Sequence, residues 1–167
     1  MEIVAVPEER IGVVIGKDGS QKEEIEKRFS VKLKIEGNQV YIKGDSLNIL
    51  KARDVVLAMG RGFSPSRAML LENDQFIFKE ISLSEFSEKE RVRFRARIIG
   101  SSGAAREQLQ SMTGAEISVY GKTVSLIGRP SDVSIAKEAI SLLLEGASHG
   151  AVYKFISRKR RDSWQKQ

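Results

Sequence analysis

Two four-residue stretches, Gly16-Lys17-Asp18-Gly19 and Gly100-Ser101-Ser102-Gly103, have the residue types to hold a phosphate group. Two glycines three apart let the backbone turn sharply and leave no Cβ to keep a sugar-phosphate chain away. Where such a loop opens a helix, free N–H groups and the positive end of the helix dipole face the anion. Lys17 puts a charge inside the first stretch, and Lys22 follows one turn later. Asp18 beside it repels a phosphate and partly cancels that charge. Ser101 and Ser102 in the second stretch offer only hydroxyl donors, so its charge must come from Arg95, Arg97 and Arg106. Ile15 and Ile99 stand immediately before the two loops and complete the candidate sites.

Other chemistries fit these residues badly. Gly12-Val13-Val14-Ile15-Gly16-Lys17 resembles the start of a phosphate-binding loop of a nucleotide hydrolase, but has three residues between its glycines where that motif needs four. Asp18 stands where that motif needs a Ser or Thr hydroxyl on magnesium, and neither loop contains the GxG of a dinucleotide fingerprint. The acidic residues are scattered among lysines at helical-surface spacing rather than clustered for a nuclease metal. With no cysteine and one histidine, a structural zinc site is not expected. No catalytic residue, metal or cofactor is predicted.

The loops sit in a repeat. An ungapped shift of 84 places Ile25 on Leu109, Gly37 on Gly121, Val40 on Val124, Ala52 on Ala136 and Gly62 on Gly146. Such a register means two copies of one folding unit. In the first copy, residues 1–6 alternate as a strand, and Pro7-Glu8-Glu9 open a helix that runs to the loop. Ser20-Gln21-Lys22-Glu23 reads as a capping box for the next helix, with Ile25 and Phe29 inward. Residues 31–35 and 40–42 form a hairpin about Gly37-Asn38. A last helix buries Ile49, Ala52, Val56 and Met59. The second copy repeats the order with a strand at 76–81, helices at 91–98 and 104–113, and strands at 116–120 and 123–127. Its last helix buries Val133, Ala136, Ile140 and Leu143. Residues 91–98 alternate like a strand, but the repeat register makes them a helix. Ala104 in place of Ser20 removes the capping hydroxyl from the second copy.

Each unit thus reads strand–helix–GxxG–helix–strand–strand–helix, which resembles the type I KH domain. That resemblance implies an α+β fold with a three-stranded antiparallel sheet and three helices on one face. It also implies a groove for about four nucleotides of single-stranded nucleic acid. The expected division is a KH unit at 1–62, a linker at 63–75 with a short helix near 66–71, a second KH unit at 76–150, and a basic extension at 151–167. KH loops usually carry a basic residue between the glycines, so the second loop departs from the pattern. The stretches Ala115–Val124 and Leu143–Tyr153 resemble the archaeal branch of the partner-of-NOB-one family, assembly factors of the small ribosomal subunit. This implies single-stranded ribosomal RNA near its 3′ end as ligand, and a PIN-domain endonuclease or another assembly or translation factor as partner.

The net charge of +6 is concentrated at the end of the chain. Lys154, Arg158, Lys159, Arg160, Arg161 and Lys166 face only Asp162 there, which points to a polyanion. Trp164 is either a stacking residue or a packing anchor, and His149 is expected in a turn with no chemical role. Val152, Tyr153, Phe155 and Ile156 are expected to dock in cis. No apolar run reaches membrane-spanning length and no leader is evident, so a cytoplasmic protein without a membrane partner is expected. The alternatives are a protein-interaction scaffold with degenerate KH units, or a KH protein acting on messenger RNA.

Overall fold

The computed structural model describes residues 1–165, with side chains through residue 163. The readings made for the Trp164 side chain and for Lys166 lie outside what is described. The chain divides into two compact units, Met1–Asp74 and Gln75–Gln167.

In unit one the order is β1 (Glu2–Ala5), α1 (Glu8–Ile15), α2 (Ser20–Phe29), β2 (Lys32–Glu36), β3 (Gln39–Lys43), α3 (Ser46–Gly60) and a short α4 (Pro65–Ala68). The sheet order is β1-β3-β2, antiparallel throughout, with Val4 opposite Val40 and Leu33 opposite Ile42. These four side chains are buried, while Ile3, Lys32 and Lys34 on the other face are exposed. Period two therefore gives the sheet one dry face. Helices α1, α2 and α3 cover it with Val14, Ile25, Phe29, Ala52, Val56 and Met59. Burying a side chain such as Ile25 contributes ~2 kcal/mol.

The segment expected as a linker belongs to this body. Pro65–Ala68 is helical, Met69–Glu72 continues as a tighter 3-10 turn, and Phe63, Ala68 and Leu71 are buried. Arg28 pairs with Glu72 at 2.6 Å, and Lys51 pairs with Asp74.

Unit two repeats the plan with β4 (Ile77–Ser82), α5 (Glu88–Ile99), α6 (Ala104–Thr113), β5 (Glu116–Tyr120), β6 (Thr123–Gly128) and α7 (Pro130–Leu144). Its sheet order is β4-β6-β5. The arginine-rich stretch is helical, with Phe94 and Ile98 buried. A capping box does open a helix here, but at Ser87 and Glu90 of α5. The Ser87 main-chain N–H, donated to the Glu90 carboxylate, holds that carboxyl below its usual range.

Two expectations fail at this level. Ser20 is already helical, and the N-cap of α2 is the left-handed Gly19 with no side-chain cap. Helix α6 starts the same way from Gly103, so the exchange of Ser20 for Ala104 removes nothing. His149 is not in a turn. It opens α8 (His149–Gln165), whose Val152 and Ile156 are fully buried in the core of unit two. Docking of the extension in cis is therefore what the structure shows.

Candidate nucleic-acid interface

The two glycine loops share one backbone. Gly16 ends α1 at φ 74°, ψ 176°, and Gly100 ends α5 at φ 74°, ψ −176°. The next left-handed pair is Asp18 (55°, 30°) with Gly19 (77°, 9°), matched by Ser102 (54°, 27°) with Gly103 (80°, 8°). Asp and Ser are short polar residues able to occupy this region at modest cost.

The two glycines of each loop serve different ends. A Cβ on Gly16 would lie 2.6 Å from the Gln21 Cβ and 2.7 Å from its main-chain nitrogen. A Cβ on Gly100 would lie 2.7 and 2.9 Å from the same atoms of Ala105. The first glycine is therefore fixed by the close approach of the following helix. Among the described residues, nothing lies within 4 Å of a Cβ built on Gly19, and at Gly103 only an Arg106 guanidinium nitrogen reaches 4.0 Å. The second glycine faces open space, where a ligand backbone can come close.

Charge around the loops follows the register in part. Lys17 and Asp18 are exposed in the first loop, as are Ser101 and Ser102 in the second. Lys22 and Arg106 occupy the same register position, and Arg106 folds back over Gly103. Ile15 and Ile99 are half-buried at the ends of α1 and α5. Arg95 is half-buried, its Nε unpartnered among the described residues.

Arg97, expected to lend charge to the second loop, is instead engaged in holding the fold. It donates to the Leu143 carbonyl at 2.6 Å and the Ala147 carbonyl at 2.5 Å. The Leu143 carbonyl is in the last turn of α7, where a cation also meets the negative end of the helix dipole, and the Ala147 carbonyl lies in the connection that follows. Unit one closes the same joint with Arg10, which donates to Met59 and Phe63 at 2.8 Å each. Met59 and Phe63 are the register mates of Leu143 and Ala147, but Arg10 and Arg97 are one helical turn out of register. Two arginines thus reach one pair of carbonyls from adjacent turns of the first helix.

The basic extension also divides. Arg160 donates to the carbonyls of Met112 (3.0 Å) and Thr113 (2.7 Å) and to Asp132 Oδ1 (2.8 Å). Gly114, left-handed at φ 83°, leaves room for this group, since a Cβ there would be 2.7 Å from Asp132 Oδ2. Arg160 is thereby committed to the fold. Lys159 lies over the Phe155 ring, 3.9 Å from Glu138. Arg158 and Arg161 remain exposed.

Glu26 and Gln110 carry a role that sequence reading missed. Strands β2 and β5 are sheet edges beside the second helix of each unit. The Leu33 N–H donates to Glu26 Oε2 and the Ile117 N–H to Gln110 Oε1, both at 2.9 Å. These bonds tie the loop-bearing helix to the edge strand. By the alternation of an antiparallel ladder, the main-chain groups of Ile35 and Val119 face the same way. Each unit therefore sets a main-chain edge of donors and acceptors beside the helix that its glycine loop opens. The seven-residue spacing, repeated in both copies, was the only available sign.

Among the described residues, no cluster of three or more acidic or histidine side chains could hold a metal ion, and no helix is long and apolar enough to cross a membrane.

Comparison with known proteins follows the same lines. Residues 76–161 match the family of the second KH unit of PNO1, described as a eukaryotic-type KH domain (KH-domain type I), and residues 1–58 match the KH domain. A KH domain-containing protein of Methanocaldococcus jannaschii is 43% identical over 168 residues, which cover 96% of this chain and 74% of the relative. The crystal structure of Dim2p from Pyrococcus horikoshii is 45% identical, with a TM-score of 0.88, covering 94% of this chain and 98% of that one. A chain in the a/eIF2alpha–aDim2p–rRNA complex of the same organism is 45% identical at a TM-score of 0.90, covering 96% and 94%. A protein of unknown function from Aeropyrum pernix is 31% identical at a TM-score of 0.93, covering 99% and 93%.

Proposed function

The chain belongs to the family of tandem KH-domain proteins with a second unit of the PNO1 type, and on that premise we propose that it binds single-stranded small-subunit ribosomal RNA near its 3′ end during ribosome assembly. The observation that carries this reading is the matched pair of loops, each with its second glycine open to a ligand and a cation at the same register position beside it. A relative 45% identical was crystallised together with rRNA and a/eIF2alpha, which supports both an rRNA ligand and a translation-factor partner. A PIN-domain endonuclease is the further partner that the family resemblance implies.

In this reading Gly16, Gly19, Gly100 and Gly103 shape the clamps, and the main-chain N–H groups at the helix starts face phosphates. Lys17 and Lys22 supply charge in unit one. Ser101, Ser102 and Arg106 hold the phosphate in unit two, with Arg95 beside them. Ile15 and Ile99 give bases an apolar floor. Asp18 makes the first clamp the weaker one. The outward main-chain edge at Ile35 and Val119 reads base edges, while phosphate contacts set register and affinity. The activity is binding without catalysis.

The test pairs crosslinking to total cellular RNA with substitutions at the second glycines. Crosslinks are expected to concentrate near the 3′ end of small-subunit rRNA; a spread over messenger RNA would favour a role in translation. Gly103→Asp should weaken RNA binding more than tenfold while the unit stays folded with a loss of about 1 kcal/mol or less, and Gly19→Asp should weaken it less. Wild-type affinity in both variants would leave the scaffold reading standing.

A further inference from the structure

We propose that the outward face of α8 is a second nucleic-acid site, a track for the sugar-phosphate backbone that starts near the glycine loop of unit two; this rests on the RNA-binding reading above. Tyr153, Lys154, Ser157, Arg158 and Arg161 line a shallow concavity of ≈ 420 Å³. Their spacing puts them on one face of a helix. The opposite face is held down by buried Val152 and Ile156, and Arg160 on the flank adds three hydrogen bonds. The helix is thus pinned, and its free cations are presented in a fixed direction.

Two anchors give the track its course. At one end His149 Nε2 donates to the carbonyl of Arg97 at 2.7 Å, three residues before Gly100. At the other, Arg160 grips the last carbonyls of α6. Helix α8 therefore runs alongside α6 from its loop end to its far end, and Lys154 to Arg161 span about 10 Å. Among the described residues, no acidic side chain lines the concavity, and Asp162 stands at its end. Lysine and arginine aligned in this way repel one another until a polyanion compensates them. A backbone leaving the loop meets successive charges, and the half-buried Tyr153, packed against the core, closes the near end.

The site predicts a length effect. A four-nucleotide RNA fills the loop and its groove, whereas a twelve-nucleotide RNA also reaches α8. The variant Lys154→Gln, Arg158→Gln, Arg161→Gln changes only exposed side chains and keeps good helix formers. It should bind the twelve-mer roughly ten- to a hundredfold more weakly at low salt, with a salt slope shallower by about 2. Its affinity for the four-mer should equal that of the wild type. An unchanged twelve-mer affinity and slope would overturn the proposal, as would equal losses on both lengths, which would mean that α8 merely supports the loop. Loss of binding to anionic lipid vesicles with RNA binding intact would assign the face to a membrane instead. Failure of the loop reading is separable: Gly103→Asp would then leave four-mer binding untouched, whatever α8 does.

Discussion

Unit one carries its cation inside the loop, on Lys17, next to an opposing carboxylate. Unit two carries hydroxyls in the loop and brings a guanidinium back over it from Arg106. The backbone beneath is the same within a few degrees in both. The difference separates two kinds of constraint. Loop shape is fixed by a contact, the first glycine against the first turn of the next helix. Loop charge is fixed by nothing in the fold, so the copies have diverged there.

That comparison is broken most severely at the first glycines. Gly16→Ala and Gly100→Ala each place a methyl under 3.0 Å from main-chain nitrogen of the next helix, at a φ that disfavours any side chain. Left-handed strain of ~1–2 kcal/mol adds to overpacking of ~1–3 kcal/mol, so each variant should lose about 3 kcal/mol in denaturant melts. Gly19→Ala and Gly103→Ala meet only the strain and should lose about 1 kcal/mol. Equal losses at first and second glycines would mean that the two do not divide shape from binding. It follows that Gly100→Asp is a poor probe of RNA contact, since it disturbs the fold first.

The next effect tests the two arginines. Removing Arg10 or Arg97 leaves one carbonyl in the last helical turn and one in the following connection without charged donors, a loss of about 2–3 kcal/mol in either unit. Because the positions are one turn apart on the same helix face, unit one can be rebuilt on the unit-two pattern. Arg10→Ala with Val13→Arg should recover more than half of the stability lost by Arg10→Ala alone, measured by thermal melting. No recovery would show that the joint depends on the particular turn and not on the carbonyl pair.

Most of the fold was legible because the repeat supplied a second reading of every element. Residues 91–98 alternate like a strand, and only their register against Arg10–Val14 made them helical. What the sequence did not show was of three kinds. Ser20-Gln21-Lys22-Glu23 has the composition of a capping box, but the left-handed Gly19 already turns the chain into α2, so its hydroxyl has no N-cap to serve. Arg97 and Arg160 look like free cations in a basic run, yet their partners are carbonyls 46 to 50 residues away, and sequence spacing carries no trace of such contacts. The segment at 63–75 reads as a linker from its proline and polar residues, while Phe63 and Leu71 are what anchor it. At the candidate sites the glycine turns themselves were legible, because local spacing sets them. The bracing of the edge strand by Glu26 and Gln110 was not.

The smallest effect sharpens the comparison most directly. Asp18 and Ser102 occupy the same left-handed position, so the backbone accepts serine there in one copy already. Asp18→Ser should therefore leave stability unchanged while removing a negative charge beside Lys17. An exposed like-charge contact with phosphate is worth roughly 0.5–1 kcal/mol, so RNA affinity through unit one should rise about two- to fivefold. The gain should shrink at higher salt, because the charges are screened at the surface. Measured in a Gly103→Asp background, where unit two contributes little, the change reports on the first loop alone. If affinity stays flat at low salt, the carboxylate is not facing a phosphate, and unit one takes its ligand by some path other than its loop.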